Sequence, residues 1–140
     1  MKQTNSHVEL VARRGELMAE LFLQNLKPAS IARPPENFGY DFLVSFTNPK
    51  GGINTFGVEV KAMEQPVPSP FPIDRRTYDR LAHSTIKGLL LVADVKQNRL
   101  YSAWPPRVDT RNSGSGSINI PLTEIDDKTR TELHKRLMAY

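Results

Sequence analysis

From Phe42 to Lys61 the chain reads as two alternating runs joined by Asn48-Pro49-Lys50-Gly51-Gly52. The first sets Phe42, Val44 and Phe46 against Leu43 and Ser45; the second sets Phe56, Val58 and Val60 against Glu59 and Lys61. Period-two alternation marks strands with one buried face, and the Asn/Pro/Gly cluster between them closes a hairpin. The chain is thereby committed to a sheet. The same period puts Glu59 and Lys61 on one side of the returning strand, about 6.5–7 Å apart along it. Asp41 stands at the entrance of the first strand, so an antiparallel neighbour brings it beside that pair if the register allows.

Around the hairpin the remaining elements follow from local signals. Ser6 and Glu9 have capping-box spacing, and Val8, Val11, Met18, Leu21, Phe22 and Leu26 recur at helical intervals up to Pro28, which predicts a helix over 7–26. Pro28, Pro34, Pro35, Asn37 and Gly39 form a breaker-rich connection. Prolines 66, 68, 70 and 72 alternate, which predicts a stiff extended loop and offers a proline-recognising protein partner a ligand over 66–72. Asp74 is placed to cap a helix running to about Lys87, with Gly88 as its stop and Leu89 to Ala93 as a fully buried strand. Leu100, Ser102 and Trp104 read as a strand ended by Pro105-Pro106, residues 107–117 as a mobile polar surface loop, and Ile118 to Leu122 as a short extended piece. Asp126 or Asp127 caps a last helix through Met138, with Leu133 and Leu137 as its apolar stripe. The order helix, hairpin, helix, strand, strand, helix predicts an α/β fold, a mixed sheet with helices on its faces.

Composition narrows the chemistry. The 140 residues amount to one domain, 1–140, and the absence of cysteine removes disulfide scaffolds, cysteine nucleophiles and thiolate metal sites. No signal-peptide stretch or apolar run of membrane-spanning length is visible, so the expectation is a cytoplasmic protein with no membrane partner. Nineteen Lys and Arg against fifteen Asp and Glu give +4 and a pI near 9.5, compatible with a polyanionic partner and equally with an ordinary soluble surface. There is no P-loop, nucleophile elbow or dinucleotide fingerprint, and His7, His83 and His134 lack metal-ligand spacing. Tyr101 and Trp104 read as core or sheet-face aromatics before base-stacking residues.

What remains is Asp41, Glu59 and Lys61. Two convergent carboxylates make a hard, oxygen-rich site suited to Mg²⁺ or Mn²⁺, and a neighbouring amine can orient water or stabilise charge developing on phosphorus. Phosphodiester hydrolysis uses all three. The other meaning of Glu-x-Lys is the solvated face of an amphipathic strand, and Asp41 alone is also an ordinary strand-entrance residue.

The sequence Gly39-Tyr40-Asp41, a hairpin, then Glu59-Val60-Lys61 resembles the PD-(D/E)xK nuclease superfamily, which includes restriction endonucleases and archaeal Holliday-junction resolvases, and within it small prokaryotic domains of unknown function. The matching residues extend to Gly15 with Glu16 or Glu20 on the first helix, Leu89 to Asp94, and Tyr101 with Trp104, covering about residues 8–105 and leaving 106–140 as a C-terminal loop and helix. Tyr40 replaces the family's proline before the aspartate. The resemblance implies a restriction-endonuclease-like αβββαβ core and a Mg²⁺- or Mn²⁺-dependent endonuclease hydrolysing phosphodiester bonds, in DNA before RNA. By the same resemblance Asp41 and Glu59 are metal ligands, the Val60 carbonyl a backbone ligand and Lys61 the catalytic lysine. Glu16 is the first-helix carboxylate, with Glu20 one turn away as its alternative. Arg13, Arg14, Arg75, Arg76 and Arg80 lie on the two helices expected to flank the site, where they would hold phosphates. Because a duplex has two strands, a one-site nuclease is expected to pair as a homodimer. The rival expectation is a catalytically inactive module of the same fold, acting as a nucleic-acid- or protein-binding regulator.

Overall fold

The structure, a computed structural model, describes residues 2–35, 38–106 and 116–139. It opens on α1 (Lys2–Asn25), followed by β1 (Ser30–Ala32), β2 (Phe42–Thr47) and β3 (Ile53–Met63). After these come β4 (Phe71–Asp74), α2 (Arg75–His83), β5 (Lys87–Asp94), β6 (Arg99–Ala103), β7 (Ser117–Ile120), β8 (Thr123–Glu124) and α3 (Asp127–Ala139). Six strands form one mixed sheet in the order β1-β2-β3-β5-β6-β8, while β4 and β7 pair separately. All neighbours in the large sheet are antiparallel except β3 and β5, which run parallel with α2 in the connection between them. A parallel pair needs such a crossover because the chain must return to the same end of the sheet.

The two faces of the sheet carry different cores. Leu89 and Leu91 of β5 pack with Phe42, Val44, Phe56 and Val58, with Ala19 and Leu23 of α1 and Leu26 just beyond it, and with Leu133 and Leu137 of α3. Leu90 and Val92, pointing the other way, pack with Tyr78, Leu81 and Ala82 of α2, with Tyr40, and with Ile73 and Ile120 of the small sheet. The predicted continuous apolar run is thus buried on both sides, as a strand roofed by helices above and below must be. Among the described residues no helix is long and apolar enough to cross a membrane.

Several boundaries differ from the sequence reading. The first helix begins at Lys2, before the Ser6 and Glu9 capping pair, because nothing in residues 2–6 interrupts helical backbone. The edge strand β1 was invisible, since three residues of burial pattern exposed, intermediate, exposed carry no readable alternation. Asp74 does cap α2, its Oδ1 accepting from the Thr77 N–H at 2.6 Å, but the helix ends at His83 where Ser84 turns extended. Gly88 is consequently a strand residue and not a helix stop. A Cβ there would stand 2.7 Å from the Leu81 Cα, so the glycine lets α2 lie directly on β5. Part of the proline-rich segment, Phe71–Asp74, is a strand paired with Ser117–Ile120; Pro72 is tolerated because β4 has only one neighbour. The loop expected over 107–117 lies outside the described residues except for its last two, and Ser117 already belongs to β7.

Two substitutions measure this packing. Leu91→Ala empties a site buried on the α1 face and is expected to cost about 2–5 kcal/mol. Gly88→Ala is expected to cost about 1–3 kcal/mol, because the obstacle is Leu81 backbone and cannot swing aside. Urea unfolding should show both as a lower midpoint with an unchanged slope.

Candidate functional site

The β2/β3 hairpin is held by the turn at Asn48, whose N–H donates to the Gly52 carbonyl at 2.8 Å and whose Oδ1 accepts from the Lys50 and Gly52 N–H groups at 3.0 Å each. That turn fixes the register at Phe42↔Val58, and one residue further the backbone N–H of Asp41 donates to the Val58 carbonyl at 2.9 Å. Asp41 therefore lies against β3 just before the paired strand begins, close enough for its charge to act on Glu59. Its Oδ2 accepts the Val60 N–H at 2.7 Å, where the β2 ladder has already ended. A side chain has taken the place of the missing strand carbonyl.

Glu59 is 9% exposed and has a cation at each oxygen: Lys61 Nζ is 3.5 Å from Oε1 and Arg80 Nη2 is 3.4 Å from Oε2. Its carboxyl is raised above the usual glutamate range, first by burial and then by the Asp41 charge, with Lys61 and Arg80 opposing the shift. Lys61 remains partly exposed, its side chain at 39%. Arg80 arrives from α2 past Gly39, which has φ +106° and where a Cβ would come within 2.3 Å of the Arg80 Cδ. Tyr40 secures the same passage by donating from its hydroxyl to the Arg80 carbonyl at 3.0 Å. Gly39 and Tyr40, noticed in the sequence as neighbours of Asp41, thus also seat the arginine that holds Glu59.

Asp74 belongs to this group as well, although the sequence marked it only as a cap. The Thr77 N–H bond holds its carboxyl below the usual aspartate range, and the charges of Lys61 and Arg80 lower it further. Nothing local could have shown this, because Asp74 reaches Lys61 only through the return of the chain along β4.

The remaining predicted residues fall elsewhere. Glu16 and Glu20 share Arg33, at 3.1 and 3.5 Å, and Arg33 in turn lies over the Phe42 ring at 4.9 Å from its centroid. Phe42 faces α1 whereas Glu59 and Lys61 face α2, so the first-helix carboxylates stand on the other side of the sheet from Asp41 and Glu59. Arg13 and Arg14 are exposed on α1, Arg14 donating to the Asn98 Oδ1 at 2.9 Å. Arg75 and Arg76 open α2, and Arg80, one turn further along it, meets the Glu59 carboxylate. Trp104 packs on Phe56 with ring centroids 5.7 Å apart, Lys87 and Arg136 lying over it, a place at the core's edge. Among the described residues no group of three His, Asp or Glu is placed to hold a metal ion, so Asp41 and Glu59 stand without a third such ligand.

The electrostatics give a signed prediction. A carboxyl raised in the folded state contributes stability below the unfolded pKa and loses it as pH rises through the folded value; a depressed carboxyl does the reverse. Glu59→Gln is expected to raise the Tm at pH 7 and Asp74→Asn, which still caps, to lower it. Both differences from the parent should fade below about pH 4, where the ordinary carboxyls protonate, as thermal melts across pH would record.

No family model matches the chain, and no curated protein or solved structure matches it either, so the chemical reading rests on the geometry of these residues.

Proposed function

We propose that this chain is a metal-dependent nuclease hydrolysing phosphodiester bonds, with DNA as its substrate class, built on a restriction-endonuclease-like core. The observation that carries the reading is Asp41, bonded through its N–H to the Val58 carbonyl and through Oδ2 to the Val60 N–H on either side of Glu59, with Lys61 Nζ 3.5 Å from the Glu59 carboxylate. The element order supports it: α1, an antiparallel β1–β3 meander, then α2 leading to β5 parallel to β3.

The donor set fits Mg²⁺ or Mn²⁺. Two carboxylates and the Val60 carbonyl, beyond the last β2 ladder pair, are hard oxygen ligands of the kind such cations take with water completing the shell. When bound, the cation supplies Lewis-acid polarisation of a phosphoryl oxygen. The chain does the rest. The Val60 N–H fixes the Asp41 rotamer, Arg80 holds the Glu59 carboxylate, and Lys61, more exposed than Arg80, is placed to meet negative charge developing on phosphorus.

One observation favours the second reading, an inactive module of the same fold that binds nucleic acid or protein. Both Glu59 oxygens already face a cation, the arrangement expected of a self-sufficient buried ion cluster.

The two readings part in one pair of measurements. Calorimetry with Mn²⁺ should show binding that Asp41→Ala and Glu59→Ala abolish. Cleavage of duplex, single-stranded and branched DNA should fall by about 10²–10³-fold in Lys61→Ala. Metal binding without cleavage selects the inactive module, and absence of metal binding ends the nuclease reading.

A further inference from the structure

α1 carries a second apolar stripe that the core does not use. Its inner face, with Gly15, Ala19 and Leu23, is buried against the sheet. With 3.6 residues per turn, Leu10, Leu17 and Leu21 fall within about 20° of the line diametrically opposite Ala19. They are 65%, 56% and 62% exposed. A single exposed leucine needs no explanation, but three in line on the outermost ridge of one helix make an apolar stripe, with Arg13 and Arg14 on the turn between Leu10 and Leu17. The spacing of four and seven is that of a coiled-coil seam.

The charges beside the ridge identify its occupant. Arg13 and Glu20, opposite in sign and seven residues apart, lie on one flank; Val11, Met18 and Arg14, the last bonded to the Asn98 side chain, lie on the other. In a parallel helix pair the first flank would face the second, so Arg13 would meet the partner's Arg14 and Glu20 an apolar residue. In an antiparallel two-fold pair like flanks meet. Setting Leu10 opposite the partner's Leu21 then brings Arg13 to within about 3 Å, along the axis, of the partner's Glu20. Symmetry repeats the contact at the other end, as an isologous interface requires. Glu20 keeps its own contacts with Arg33 and Gln24 and still has its side chain 32% exposed. Alongside Leu21 opens a groove of about 600 Å³ in which Met18, Phe22, Leu100 and Ile125 offer apolar contact to the partner's Leu10 within a largely charged rim.

We propose that the outer ridge of α1 is a homodimer interface, in which Leu10, Leu17 and Leu21 of two copies pack as an antiparallel helix pair flanked by Arg13 against the partner's Glu20. The inference is independent of the nuclease reading. Because α1 and the Glu59 cluster occupy opposite faces of the sheet, the dimer leaves both clusters facing outward.

Sedimentation equilibrium of the full chain over a dilution series tests it. The parent protein is expected to dimerise reversibly, and Leu17→Glu to remain monomeric with an unchanged helical circular dichroism spectrum and melt. Arg13→Glu and Glu20→Lys should each self-associate at least about tenfold more weakly. Mixed together they should form a heterodimer of parental affinity, since both flank pairs are then complementary. A parent protein that stays monomeric at the highest attainable concentration, a dimer indifferent to Leu17→Glu, or a mixture that fails to recover affinity would each overturn the proposal.

Discussion

The parallel ladder between β3 and β5, running from Phe56↔Lys87 to Met63↔Asp94, is the constraint around which the other elements are arranged. A parallel pair cannot be closed by a turn, so α2 must cross over one face, and the sheet must be covered on the other by α1 and α3. With both faces roofed, any polar side chain on the central strand becomes a desolvated one. Glu59 occupies such a position, and its surroundings follow from that burial: a lysine two residues on along the same face, an arginine sent down from the roofing helix, and a glycine and a tyrosine that admit the arginine.

Burying a carboxylate beside a second one is unfavourable unless cations and hydrogen bonds offset it, and here the compensation is incomplete. Burial and Asp41 together outweigh Lys61 and Arg80 in setting the Glu59 carboxyl. A residue of similar size and no charge would fit this position with less cost to the fold. That incomplete compensation sets this cluster apart from the ion pairs of His7 with Glu64 and of Arg33 with Glu16, which are more exposed and worth little either way.

What the sequence disclosed and what it hid divide along local and long-range lines. The hairpin, its register-setting turn, the Asp74 cap and the doubly buried β5 were legible because each is written in consecutive residues. Asp41, Glu59 and Lys61 could be placed together because the hairpin converts sequence separation into a lateral neighbour. Arg80 and Asp74 reach the cluster through a crossover, so Arg80 was noticed only as one of five basic residues and Asp74 only as a cap. Glu16 and Glu20 were assigned to the wrong neighbourhood for the same reason: helical spacing says which residues share a face, not which side of a sheet that face will cover. Their actual companion, Arg33, sits just past a three-residue edge strand that has no pattern of its own.

The Asn48 turn has a reach beyond its own loop. It stands at the far end of β2 from Asp41, about 20 Å of extended strand away. Yet the number of residues it contains decides which strand face Asp41 occupies, since a slip of one position exchanges the two faces. Such a slip would turn the carboxylate toward α1 and withdraw it from the Val60 N–H and from Glu59. The charged cluster is therefore aligned from outside itself, by backbone hydrogen bonds in a solvent-exposed turn, and loop length there is as much a part of its geometry as the acidic side chains are.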